Sequence, residues 1–152
     1  MTVPLPGVGL PGAAPVGAAV ASGIAMKRRN PVAVWIGLTI ITLGIYHLVW
    51  YVKIHKELAE FDRRRTIPTT GSMLVLLFIG WTVIAPLISY ANTGKFIRQA
   101  QRSAGLPETC SPAAGTWLMI VFGLGTLYYQ NQLNLIVDHY QVAEGTQIPL
   151  YV

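Results

Sequence analysis

Residues 109–137 read TCSPAAGTWLMIVFGLGTLYYQNQLNLIV, a run without a single Asp, Glu, Lys or Arg. A hydrocarbon core of roughly 30 Å takes about 20 helical residues to cross, so this run is long enough to do it. Two more charge-free runs precede it, residues 30–52 and 66–94. Around them the chain of 152 residues is 53% hydrophobic and only 11% charged, where soluble domains hold about 25% charged residues. That is too few charges to cover a water-soluble fold. The expectation is an all-α membrane protein of three long apolar helices with amphipathic extensions, integral to the cell's inner (plasma) membrane and in contact with the lipid bilayer.

The segments have recognisable ends. The first runs from Pro31 to about Val52 and continues as a charged helix to about Arg65, with Pro31 suited to a first helical position. The second runs from Ser72 to about Asn92 and on to about Arg102. The third runs from about Ala113 to Tyr129 and on to about Tyr140, with Ser111 as N-cap and Pro112 in its first turn. Pro68-Thr69-Thr70-Gly71 and Ser103-Ala104-Gly105-Leu106-Pro107 supply turn chemistry between them. Three domains of organisation follow: a disordered Pro/Gly/Ala-rich leader over 1–26, a helical membrane domain over 27–143 and a short tail over 144–152. The leader lacks the order of a signal peptide, because Lys27-Arg28-Arg29 follows its apolar stretch instead of preceding it.

A triple repeat of about 40 residues is visible. Shifts of 39 and then 40 align Ile45, Ile84 and Leu124, then Tyr51, Tyr90 and Gln130, then Leu58, Ile97 and Val137. Each unit has a weak point near its middle: Gly44, Pro86, and Gly123 with Gly125. Three simple spans with the amino terminus inside divide the basic residues six against five, almost no bias for the rule that sets orientation. If each weak point instead lets its unit turn back, every basic cluster falls on one side of the bilayer.

The net charge is +5, but the cations lie at the segment edges, where they meet anionic headgroups. No recognition motif accompanies them, so nucleic acid is not an expected partner. The single Cys110 excludes an internal disulfide framework and disfavours a thiolate metal site. No phosphate loop, nucleophile elbow or carboxylate pair occurs, and neither an enzyme nor a cofactor is expected. The candidate polar positions are His47, within segment one, Lys53 at its edge, and the amides Gln130, Asn131 and Asn134, which cannot face lipid comfortably. The candidate helix-packing positions are Ala33 and Gly37, Gly44 seven residues on, and Gly123 with Gly125. The expected role is a small multi-span membrane scaffold or interaction protein, self-associating or bound to another membrane protein. The alternative is a channel or transporter subunit with an amide-lined path.

One resemblance adds to this reading. Arg29-Asn30-Pro31-Val32, Ile41-Thr42-Leu43-Gly44-Ile45-Tyr46 and Trp50-Tyr51-x-Lys53-x-His55-Lys56-Glu57-Leu58 resemble a bacterial family of small membrane proteins. That family is catalogued only as a domain of unknown function, number four-two-three-four. Tyr129-Gln130-x-Gln132-Leu133-Asn134 looks like its closing signature, so the likeness covers roughly Lys27 to Tyr140. His55 stands where asparagine is expected. The resemblance implies a membrane location and several spans, and no activity or functional residue comes with it.

Overall fold

The computed structural model describes residues 18–37, 45–67 and 84–151. In chain order the elements are β1 (Ala21–Ile24), a π-helical turn (Ala33–Gly37), α1 (Ile45–Phe61), α2 (Ile84–Ser103), α3 (Pro112–Ile120), α4 (Leu124–Tyr140) and β2 (Gln147–Leu150).

The expected three long helices are corrected by this arrangement. Among the described residues no helix is long and apolar enough to cross a membrane. The third charge-free run, described throughout, is two helices and not one. Ser111 caps α3 by accepting from the Ala114 amide, with Pro112 at its start, but the helix stops after nine residues. Phe122 and Gly123 then both take positive φ, 52° and 68°, a left-handed conformation that no helix of L residues continues through. The chain turns back as α4, and Gly115 and Met119 of α3 face Tyr129 and Gly125 of α4 in antiparallel order. The helices that are longer are interrupted by polar groups: α1 holds Lys53, Lys56, Glu57 and Glu60, α2 holds Lys95, Arg98 and Arg102, and α4 holds Gln130, Asn131, Gln132, Asn134 and Asp138. The chain is also not all-α, since β1 and β2 form a two-stranded antiparallel sheet.

The helices α1, α2 and α4 run side by side in one direction. Tyr51 Oη meets Ser89 Oγ, and four residues further along both helices His55 meets Thr93. Tyr129 Oη donates to the Tyr90 carbonyl over 2.8 Å. Their shared core has a period of 39 residues. Tyr51, Tyr90 and Tyr129 are all buried, with ring centroids 6.2 Å apart for the first pair and 6.1 Å for the second. Leu58, Ile97 and Ile136 repeat this one level down, also buried. The sequence alignment therefore slips by one residue in its third copy: Tyr129 and Ile136, not Gln130 and Val137, occupy the equivalent places.

The two short strands lie against the ends of α1 and α2. β1 pairs Ala21 with Leu150 and Gly23 with Ile148. A Cβ at Gly23 would overlap the Phe61 carbonyl, so only glycine lets the strand lie against the end of α1. Tyr151 N–H donates to the Ser103 carbonyl and fixes the same strand pair to the end of α2. Ala25 and Met26, next after β1, are buried core residues, and Gln147–Leu150 form β2, the partner of β1.

Candidate functional site

Two regions differ in chemistry, a polar base and an apolar apex. At the base each of the chain's six carboxylates is held in an ion pair. Glu57 takes Arg29 in a two-pronged contact, with Arg29 Nη1 at 2.9 Å. Asp138 takes Arg28 at 2.7 Å, Glu144 takes Lys27 at 3.2 Å, and Glu60 takes Lys56 at 4.0 Å. Glu108 takes Arg98 and Arg102. Asp62 is buried, which pushes its pKa up, but hydrogen bonds from Arg64, Arg65 and Ser103 outweigh this and hold the carboxyl at about 2.

The interior below the apex is polar where sequence reading expected amides, and these amides join neighbouring elements. Gln130 Oε1 accepts from the buried Trp50 indole at 2.8 Å, and its Nε2 donates to Asn134. Asn134 grips the Arg29 backbone from both sides, accepting from its N–H and donating to its carbonyl over 2.7 Å. Gln132 accepts from Gln101 and Thr109, each at 2.8 Å. The amides of Gln130 and Asn134 are therefore spent on helix and loop contacts, while Asn131 is exposed. Lys53 is also exposed. The side chain of His47 lies outside the described residues.

A second histidine proves more constrained. His55 is buried, with Nδ1 at 2.9 Å from the Tyr51 carbonyl and Nε2 at 3.3 Å from Thr93 Oγ1. A carbonyl can only accept, so the proton of the neutral ring sits on Nδ1. Burial lowers its pKa, partly opposed by the bond to Tyr51.

Glycines allow close contact between segments at several places. Gly125 does pack, since a Cβ there would overlap the Gly115 carbonyl. Gly123 serves the turn through its φ of 68°. Ala33 is exposed, Gly37 closes the π turn, and Gly44 lies outside the described residues. Sequence reading missed Gly94 and Gly115. A Cβ on Gly94 would come 2.6 Å from Pro112 Cα, and one on Gly115 would enter the Tyr129 ring. Glycines spaced this irregularly match no helical motif, because the surfaces they meet belong to other segments.

The apex is made by the α3–α4 turn. Phe122 is 88% exposed, Trp117 71%, Ile120 56% and Val121 49%. The π turn reaches the same end, for Trp35 Nε1 donates to the Phe122 carbonyl at 2.9 Å. Val32, Ile36, Val49 and Ile88 add exposed apolar groups on the elements around it. Phe122 is unfavourable twice over in water. It shows nearly its whole ring to solvent, and it holds a left-handed backbone that bulky residues avoid. Glycine would sit there without strain, and asparagine with less of it.

Residues 30–99 match the family model described as Domain of unknown function (DUF4234). The match covers the first two helical units as far as Phe96-Ile97-Arg98-Gln99 of α2, and ends before the Tyr129–Asn134 stretch that the resemblance had included. No curated protein and no solved structure gives a match.

Proposed function

We propose that this protein is a non-enzymatic membrane module held in one leaflet of the plasma membrane, with the α3–α4 apex in the lipid and the ion-paired base outside it. The observation that carries this reading is the cluster of Phe122, Trp117, Ile120 and Val121, exposed at the end of a hairpin that has no charged residue between Thr109 and Val137. The dimensions agree. Nine residues of α3 measure about 13 Å at 1.5 Å per residue, close to half of a roughly 30 Å hydrocarbon core. The turn itself has backbone partners, as lipid requires: the amides of Val121, Gly123 and Leu124 donate to the carbonyls of Trp117, Met119 and Val121, and the Phe122 carbonyl accepts from Trp35. Full burial of side chains of this size is worth about 1.5–3 kcal/mol each. Scaled by exposure, the four together supply on the order of 5 kcal/mol for entering lipid.

The remaining polar chemistry is consistent with a scaffold. Carboxylates are occupied by cations, and amides bond neighbouring elements, so these groups serve cohesion. A second copy or another membrane protein meeting the flank at Val49 and Ile88 extends the same reading to assembly.

The test is depth. A nitroxide on Phe122→Cys in a Cys110→Ser background reports whether the apex meets oxygen-rich lipid or a water-soluble nickel chelate. In phosphatidylcholine vesicles, relaxation by oxygen is expected to dominate at position 122, and by the nickel chelate at Arg63→Cys. Equal exposure of both positions to the chelate would remove the lipid reading.

A further inference from the structure

Beside α1 lies a cleft of about 470 Å³ whose walls include Lys27, Arg29, Lys53, Lys56, Glu57 and Glu60. Three of its cations already face acids. Arg29 is locked on Glu57, Lys27 on Glu144, and Lys56 loosely on Glu60 at 4.0 Å. Lys53 is exposed and, among the described residues, has no carboxylate within ion-pairing distance. The cleft therefore carries a positive charge that its acids do not cancel, with the weakly held Lys56 ammonium one turn further along the same helix.

Its height on the molecule is informative. From the apex Phe122 to Gln130 the chain descends about 12 Å at 1.5 Å per residue. Trp50 is bonded to Gln130, and Lys53 lies three residues nearer the base on α1, about 4 Å lower. Lys53 thus stands about 15 Å below the apex, which is half of a roughly 30 Å core. With the apex in lipid, this ammonium reaches the plane of the phosphates.

We infer that the cleft is a headgroup site, in which Lys53 and Lys56 receive the phosphate of an anionic phospholipid from the leaflet that holds the apex. The inference rests on the one-leaflet reading above and adds a lipid preference to it. A phosphate here exchanges bulk water for charge-assisted donors, and Lys56 gains a better partner than Glu60 offers at its present distance. A nearby cation contributes about 1 kcal/mol to attraction by an anionic surface, or roughly fivefold in partitioning.

The experiment compares binding of the full chain to vesicles of phosphatidylcholine alone and of phosphatidylcholine with phosphatidylglycerol. The second is expected to bind more tightly, and Lys53→Gln is expected to lose about fivefold of that gain while keeping its binding to phosphatidylcholine. Lys95→Gln is the comparison, because Lys95 is exposed on α2 outside the cleft. Equal losses at positions 53 and 95 would mean a diffuse surface potential and would overturn the site. Displacement of the Lys53-dependent gain by millimolar glycerol phosphate would assign the cleft to a free phosphate compound and overturn the lipid assignment. Failure of the one-leaflet reading looks different: the unaltered chain would then not bind phosphatidylcholine at all, and the headgroup site would fall with it.

Discussion

Replacing Phe122 with asparagine should strengthen the fold and weaken its hold on lipid. The backbone at this position has φ of 52°, and a left-handed conformation costs an L residue about 1–2 kcal/mol. Asparagine tolerates it better, so about half of that strain is recovered, and the ring's 88% exposure means that little packing is lost. A gain of about 0.5–1 kcal/mol is expected in lipid-free solution, which for a chain of this length raises Tm by about 2–3 °C. In lipid the sign reverses. Burial of an aromatic side chain is worth up to about 3 kcal/mol, and the exposed fraction of Phe122 makes the loss about 2 kcal/mol, or roughly thirtyfold in vesicle partitioning. Thermal unfolding followed by circular dichroism and vesicle flotation on the same preparation give the two numbers. A lower Tm together with undiminished flotation would refute the reasoning, because it would show that the Phe122 ring holds the folded chain together rather than reaching outward.

Three further outcomes concern glycines and two buried titratable groups. Gly115→Ala drives a methyl into the Tyr129 ring and should cost about 1–3 kcal/mol by overpacking. Gly145→Ala, which meets nothing within 4 Å but has φ of 81°, should cost about 1 kcal/mol of backbone strain only; denaturant midpoints compare them. His55 has a lowered pKa in the fold because burial disfavours its charge. Below pH about 6.5 the unfolded chain takes up a proton that the folded chain refuses, so stability should fall by up to about 1.4 kcal/mol per pH unit on acidification. Urea titrations between pH 7.5 and 5 should show that slope in the parent and lack it in His55→Asn. Asp62 runs the other way. Its folded value of about 2 lies below the ordinary 3.8, so its contribution of about 2 kcal/mol is complete above pH about 4 and disappears toward pH 2. Asp62→Asn should remove it at neutral pH, as read by Tm.

How much of this was legible in the sequence differs by type of signal. The start of α3 was: Ser111 before Pro112 states a cap and a first turn in local chemistry, and the Ala114 amide indeed donates to Ser111 Oγ. The weak point at Gly123 was also visible, but a charge-free run cannot say whether a helix passes through its glycine or turns there. The decision was made by two consecutive positive φ values, one of them on a phenylalanine, a residue type that gives no warning of it. The tyrosines at a spacing of 39 were present in the sequence and were misaligned by one position, because Gln130 follows Tyr129 directly and apolar matches alone do not fix a register. The strand at residues 21–24 was hidden for a different reason. Its sequence, Ala21-Ser22-Gly23-Ile24, has low strand propensity, and its partner lies more than a hundred residues away.

The charge arithmetic also changes meaning once the ion pairs are known. Three simple crossings would divide the basic clusters between two sides, yet the clusters are physically tied together. Arg29 binds Glu57 on α1, and Arg28 binds Asp138 at the end of α4. Asp62 holds Arg64 and Arg65 and also Ser103 at the end of α2, one residue beyond Arg102, which shares Glu108 with Arg98. Residues 27–29, 53–65 and 95–102 therefore belong to one end of the molecule, with the apolar apex at the other. A chain with its cations gathered in this way meets no conflict with the preference of basic residues for one face of a membrane. The near-even split arises only from assuming that each apolar run crosses. Turning at Phe122-Gly123 removes the assumption for the third run, and the expense of that turn, a strained and exposed aromatic residue, is the feature that the one-leaflet reading explains.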